Sequence, residues 1–270
     1  VTTPKSNSWE FRSPIVYGVC WWNHKSVKGL FSKSSNKPVL HEKFADALAE
    51  AKRKNTCLVG WASRLSGEHE AACKSSGIPL VRLEDGFLRS VGLGAGLAPA
   101  ASMVLDSKGI YYDASRASDL EEMLEHLELN EQQRQRGAQL RKLILNAQVS
   151  KYNTGKKVGK RGGGYVSFPD DRLKILVPGQ VSDDAAILKT RSNSIDLEGA
   201  NNINLELLKA VRKNNPDAFI IYKPHPDVAS DLRKGRIKSS ELHDYADRII
   251  SNVDIIELIE KCDRVETLTS

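Results

Sequence analysis

Short, unbroken apolar runs rich in β-branched residues recur along this chain, each followed by turn or charged residues. They are residues 15–22 (IVYGVCWW), 56–61 (TCLVGW), 78–83 (IPLVRL), 173–177 (LKILV) and 218–222 (AFIIY). A strand apolar on both faces has to be covered on both faces, which is the habit of a parallel sheet flanked by helices. Helix-forming stretches lie between them. Residues 42–54 (EKFADALAEAKRK) place Phe44, Ala45, Leu48 and Ala49 at helical spacing, and a further helix is expected around residues 67–76. The pattern predicts an α/β fold with Rossmann-like alternation of strand and helix.

Residues 103–105 and 109–112 read as a hairpin turning at residues 106–109. Ser118 and Glu121 have the spacing of a capping box, opening a helix through Glu128. Asn130 caps another, to about Val149, with Leu140, Leu143, Ile144 and Ala147 on one stripe. The glycine- and lysine-rich run 152–164 (YNTGKKVGKRGGG) then breaks all periodicity and reads as a linker. After it the pattern restarts: a helix over 204–214 with Leu205, Leu207, Leu208 and Val211 apolar, a strand at Ile249–Ile250, a helix from Asp254 to Lys261, and a short strand near Val265. The expected organisation is an N-terminal Rossmann-like domain over 1–150, a basic linker over 151–168, and a C-terminal Rossmann-like domain over 169–270, the two facing a cleft.

The 270 residues carry a net charge of +6, which suits an anionic ligand or an anionic membrane surface and is too small to imply nucleic acid. Cys20, Cys57, Cys73 and Cys262 are widely spaced with no CxxC pair, so neither a zinc site nor a disulfide framework is indicated and a reducing cytoplasm fits. No run approaches the roughly 18 apolar residues of a membrane span, so a soluble or at most peripheral protein is expected. The polar start without methionine and the stop at Ser270 read as cuts in a longer protein.

Three polar clusters follow apolar strands: Glu84 and Asp85 with Arg89 and Ser90, Gln180 with Asp183 and Asp184, and Lys223 with His225. Ligand-binding groups of open α/β sheets gather at the carboxyl ends of strands. Carboxylates from opposite halves point to glycosyl chemistry, one as acid/base and one as nucleophile. The cations beside them suit a phosphate or carboxylate on the donor. The plainer readings are that Asp85 is a turn acid before Gly86, and that Asp183 or Asp184 caps a helix. His225 between Pro224 and Pro226 is held by rigid flanks, as a positioned group would be. No GxxxxGK[ST] loop is present, and residues 92–96 lack the GxGxxG spacing, which argues against kinase and dehydrogenase chemistry. Adjacent Asp183 and Asp184 are not the separated Asp-x-Asp that holds a metal on a diphosphate, so no metal is expected.

The strings RLEDGFLRSVGLG (82–94), VPGQVSDDAAI (177–187) and YKPHPDV (222–228) resemble the signature motifs of the KpsC-type capsule polysaccharide proteins, which are retaining β-Kdo glycosyltransferases. The resemblance implies a GT-B-like pair of Rossmann-like domains, CMP-Kdo as donor, a β-Kdo-bearing, phosphatidylglycerol-linked glycolipid as acceptor, and no cofactor. It also implies a cytoplasmic location, peripheral contact with the inner membrane, and other capsule assembly proteins as partners. Such proteins carry two transferase modules in tandem, and this chain resembles one of them, more the C-terminal one. By position, Glu84 matches the acid/base glutamate and Asp184 the attacking aspartate, with Asp183 the rival. Lys223 and His225 match the donor-contacting pair, and Gln180 lies in the aspartate motif. Asp85, Arg89 and Ser90 belong to the first motif and are expected at donor or acceptor contacts. The family pattern continues beyond Thr269 and Ser270, itself a donor-site position, so a truncated donor side is expected. Two rivals stand beside this reading: a transferase for another nucleotide-activated anionic sugar, and a non-catalytic module that holds glycolipid or partner proteins through basic residues such as Lys156, Lys157, Lys160 and Arg161.

Overall fold

The computed structural model describes residues 13–32, 37–154, 167–189, 192, 195 and 199–269. They fall into two compact units. Residues up to Arg89, Pro99–Tyr111 and Arg116–His126 form the first, and Ser90–Ala98, Tyr112–Ser115 and everything from Leu127 onward form the second.

The first unit contains β1 (Ile15–Tyr17), α1 (His24–Leu30), β2 (Val39–His41), α2 (Phe44–Lys54), β3 (Leu58–Trp61), α3 (Gly67–Ser75), β4 (Leu80–Asp85), β5 (Met103–Asp106) and α4 (Asp119–His126). Its five-stranded sheet has the order β2-β1-β3-β4-β5, parallel throughout except for the edge strand β5, which runs antiparallel to β4. Adjacent β1 residues show why the runs are apolar throughout. Ile15 packs with Ala47, Ala51 and Leu58 in one buried cluster, while Val16 packs with Val27, Val59 and Val81 in another. Successive side chains point to opposite faces, so both faces are covered.

Several expectations need correction. The first strand ends at Tyr17, because Gly18 adopts φ +80° and turns the chain. Trp21–Asn23 then forms a 3-10 turn leading into α1. Trp21 is 69% exposed and meets the half-buried Trp22 edge-on. On α2 the buried positions are Ala47 and Ala51, while Ala45 and Ala49 are exposed. Residues 109–112 form no strand. Asp106 organises that segment instead, accepting from the backbone N–H groups of Lys108 (2.9 Å), Gly109 (2.7 Å) and Asp119 (3.1 Å). The Ser118–Glu121 capping box is present, and its helix stops at His126.

The second unit contains α5 (Glu131–Ala147), β6 (Lys174–Pro178), α6 (Ala185–Lys189), α7 (Ile203–Asn214), β7 (Phe219–Lys223), α8 (Pro226–Ala229), α9 (Ser239–Tyr245), β8 (Arg248–Ile249), α10 (Ile255–Lys261) and β9 (Arg264–Val265). All four strands are parallel, in the order β8-β7-β6-β9. In chain order this is third, second, first, fourth, the strand order of the dinucleotide-binding fold. Ile175, Val177, Ile220 and Tyr222 pack with α7 on one face, and Leu176 and Ile221 pack with Leu258 of α10 on the other. Asn130 and Gln133 form a capping box on α5, and Asp254 caps α10 through Ile256 N (2.8 Å). On the apolar stripe of α5, Leu140 and Leu143 are exposed, as on a solvated helix, and the helix ends at Ala147, short of Val149. Among the described residues, no helix is long and apolar enough to cross a membrane.

Candidate active site

In the first unit, Glu84 and Asp85 lie within β4, opposite Val104 and Met103 of β5, rather than in the loop beyond it. Glu84 Oε1 accepts from Asp85 N (3.1 Å), and Asp85 Oδ2 accepts from Arg89 Nε (2.6 Å). Asp85 Oδ1 is buried with no hydrogen-bond partner among the described residues. The intervening loop is sewn to residues 101–102. Gly86 N donates to Ser102 O (3.0 Å), Ser102 Oγ to Leu88 O (2.6 Å), and Ala101 N to Arg89 O (2.6 Å). Only glycine fits at 86, since a Cβ there would lie 2.1 Å from Ser102 Oγ. Arg89, expected at an anion contact, is 1% exposed. Leu83 and Phe87 do not form an apolar cover for Glu84: strand alternation puts Leu83 on the opposite face, and Phe87 is 55% exposed beside Tyr111.

A cavity of about 480 Å³ in the same unit is lined by Glu70, Cys73, Arg82, Lys108 and Arg116 among others and contains none of the site residues. Glu70 there accepts from Arg116 (2.6 and 2.8 Å) and Arg82 (2.7 Å). These guanidiniums, Arg116 foremost, hold its carboxyl down at about 2.

In the second unit Gln180 stands where a doubly wound sheet offers a crevice, while Asp183, Asp184, Lys223 and His225 lie at or beyond the carboxyl ends of β6 and β7. The strand order reverses between β6 and β9, and ligands of such sheets bind outside the carboxyl ends at that reversal. Gln180 joins the two strand ends. Its Oε1 accepts from Leu268 N (3.0 Å) and Thr267 Oγ1 (3.2 Å), and its Nε2 donates to Thr269 Oγ1 (2.5 Å). Its backbone N–H and C=O both bond to the Asn204 amide, at 2.7 and 2.8 Å. The amide of Gln180 is thus a staple, holding residues 267–269 beside the β6 end. Ser270 lies outside the described residues, as do Lys156, Lys157, Lys160 and Arg161.

The two adjacent aspartates differ in their partners. Asp183 pairs with Arg233 at 3.0 Å. Asp184 caps α6, its Oδ1 accepting from Ala186 N (3.0 Å), and is exposed. Lys223, at the end of β7, is 8% exposed and donates from Nζ to Ser251 O (3.0 Å). Burial pushes its ammonium below the ordinary lysine value, against the pull of Asp254. His225 caps α8, with Nδ1 accepting from Asp227 N (3.2 Å). Burial pushes this imidazole down as well. A neutral ring whose Nδ1 accepts keeps its proton on Nε2, which makes His225 a donor toward a ligand oxygen. The carboxylates of Asp227 and Asp184 act upward on it, and Lys151 and Arg233 act downward.

Sequence reasoning missed several neighbours. Tyr152, read as the start of a linker, meets the His225 ring edge-on at 6.0 Å. Its segment is bonded beside Ser90: Ser90 N donates to Lys151 O (3.1 Å), Gly92 N to Tyr152 O (2.9 Å), and Asn153 Nδ2 to Ser90 O (2.9 Å). Ser90 Oγ closes on Gly92 O at 2.7 Å. Asp227 is 6% exposed, and its Oδ1 has no hydrogen-bond partner among the described residues. Asp113 is buried and pairs with Lys189 at the end of α6 (3.0 Å). The sequence signal available was the basic pair Arg233–Lys234 close behind the histidine motif.

The chain is 42% identical over 193 residues to the capsule polysaccharide modification protein LipA of Neisseria meningitidis, a match covering 72% of this chain and 26% of LipA. It is 37% identical over 201 residues to the lipopolysaccharide-processing protein LpsZ of Rhizobium meliloti, covering 74% of this chain and 43% of LpsZ. The chain therefore spans less than half the length of these curated relatives. Among solved structures it is similar to the Thermosulfurimonas dismutans KpsC β-Kdo 2,4 transferase, with a TM-score of 0.72 at 29% identity, over 96% of this chain and 75% of that one. The KpsC β-Kdo 2,7 transferase of the same organism gives 0.67 at 30% identity, over 96% and 73%. The profile of the family described as capsule polysaccharide biosynthesis protein matches residues 56–270, and the chain belongs to that family.

Proposed function

We propose that this chain is a glycosyltransferase module that moves Kdo from CMP-β-Kdo to a β-Kdo-terminated glycolipid with retention of configuration. The observation that carries the reading is the grouping of Asp184, Lys223 and His225 at the carboxyl ends of β6 and β7, in a chain similar to two KpsC Kdo transferases. The donor is anionic twice over, through its phosphate and its sugar carboxylate, and the Nε2–H of neutral His225 suits a phosphate oxygen.

In the first step an Asp184 oxygen attacks the anomeric carbon of Kdo, and the bond to the phosphate oxygen breaks with its electrons leaving on CMP. In the second, Glu84 takes the proton of the acceptor hydroxyl, whose oxygen attacks the same carbon and expels the aspartate. Two inversions amount to retention. Asp183, paired with Arg233, is the rival for the attacking role. A GT-B-like arrangement and peripheral contact with a membrane carrying the acceptor belong to the same proposal.

Intact-protein mass spectrometry of Glu84→Gln incubated with CMP-Kdo and no acceptor tests it. A mass gain of one Kdo residue that disappears on adding Asp184→Asn is expected. A protein that binds CMP yet forms no adduct argues against the covalent route, and one that binds no cytidine nucleotide argues against the donor.

A further inference from the structure

The cations that the sequence motifs offer to an anionic ligand are largely committed within the protein. Arg89 is buried against Asp85, and Lys223 is nearly covered and bonded to the Ser251 carbonyl. Two other cations stand beside His225 in the second unit. The Arg233 backbone is anchored, its N–H donating to Asp227 O (3.1 Å). Its guanidinium reaches Asp183 Oδ1 from NH2 (3.0 Å) and Nε (3.3 Å), with 34% of the side chain still open to solvent. Lys151 carries its Nζ 5.4 Å from the centroid of the Tyr152 ring, the ring that meets His225. Both positive charges are close enough to lower the proton affinity of the imidazole.

We propose that Arg233 and Lys151 receive the anionic oxygens of the ligand bound at the carboxyl ends of β6 and β7, with Asp183 holding Arg233 in place until the ligand replaces it. The inference rests on the reading that this ligand carries a phosphate or a sugar carboxylate. An Arg fork matches the paired oxygens of either group, and a lysine adds a point charge without demanding geometry. The exchange is easy because Asp183 is 54% exposed, and an exposed ion pair holds little free energy. Asp183 gains a role of its own: it presets the guanidinium beside Asp184.

Isothermal titration of CMP, CMP-Kdo, cytidine and inorganic phosphate into the parent chain, Arg233→Ala, Arg233→Lys and Lys151→Gln tests the proposal. Arg233→Ala and Lys151→Gln are expected to weaken CMP binding about tenfold or more each, as loss of a charge-assisted hydrogen bond would, with cytidine unaffected. Arg233→Lys, which keeps the charge and loses the fork, falls between. Equal weakening of CMP and CMP-Kdo assigns the contact to the phosphate, and weakening confined to CMP-Kdo assigns it to the carboxylate. Unchanged affinity for both ligands in both variants overturns the inference and leaves the donor reading standing. Phosphate binding that needs Arg233 and Lys151, without preference for CMP, keeps the anion site and overturns the donor reading. No anion binding by the parent chain overturns both. Thermal melts by circular dichroism confirm that the variants fold.

Discussion

Arg89 donates its Nε to Asp85 Oδ2 at 2.6 Å, and the guanidinium that closes this bond is almost wholly withdrawn from water. The pair locks the loop that leaves β4, so the motif's arginine serves the architecture of the strand end. Removing one partner of a buried pair strands the other's charge. Arg89→Met is expected to cost about 3 kcal/mol, read as a lower urea midpoint at unchanged slope. A change below about 1 kcal/mol, the scale of an exposed pair, would show that the contact is incidental.

Glu70 gives the chain an acid-sensitive element. Its carboxyl is held at about 2 against an ordinary 4.5, chiefly by Arg116 and also by Arg82. A depressed folded-state value means the stabilisation is fully present above pH 4.5 and fades as pH falls toward 2. Urea unfolding of the parent and Glu70→Gln should differ at pH 7 and converge as the pH drops through that window. Parallel curves down to pH 2 would contradict this.

Gly179 is a steric gate behind the histidine. A Cβ there would lie 2.6 Å from Tyr222 Oη and 3.0 Å from the His225 backbone nitrogen. Gly179→Ala is expected to displace the His225 turn, costing about 1–3 kcal/mol as overpacked sites do, and to weaken CMP binding. Calorimetry on a variant shown to be folded checks the second part; full affinity would mean the turn has slack.

Gln180 holds residues 267–269 with three side-chain hydrogen bonds. In Gln180→Leu the half-buried Leu268 amide loses its acceptor, at a cost of about 1 kcal/mol. Hydrogen exchange read by mass spectrometry should accelerate in the peptide covering 264–269 while β6 and β7 stay protected. Unchanged exchange there would mean the segment is held by other contacts.

Much of the fold is legible because burial on two faces leaves a mark on sequence. β3, β4, β6 and β7 all coincide with apolar runs. β2 escaped, since Val39–His41 is three half-buried residues with no pattern to detect. β1 was overrun, because nothing in an apolar string announces that Gly18 will take a positive φ and end the strand. On α5 the spacing reports an apolar stripe and is silent on whether a partner covers it; Leu140 and Leu143 are exposed. At the candidate site, residue types were legible and partnerships were not. Asp183 finds Arg233 at a separation of 50 residues, and Gln180 finds Thr267 at 87, which no local pattern encodes. Gln180 and Arg89 stand near strand ends, where polar residues look alike in sequence whether they face a ligand or hold the strand end together, and the bonds each makes within the protein were not legible.

The two sheets also differ in when they can close during synthesis. Among the described residues, the strands of the first have been made once Asp106 is in place, whereas β6 keeps an open edge until Arg264 and Val265 arrive to pair with Ile175 and Leu176. Until then the growing chain carries an apolar strand with an unpaired rim, the kind of template that recruits other chains. A strand made about 90 residues after β6 is thus the one that shields it, and the growing chain carries that open apolar edge throughout the interval between them.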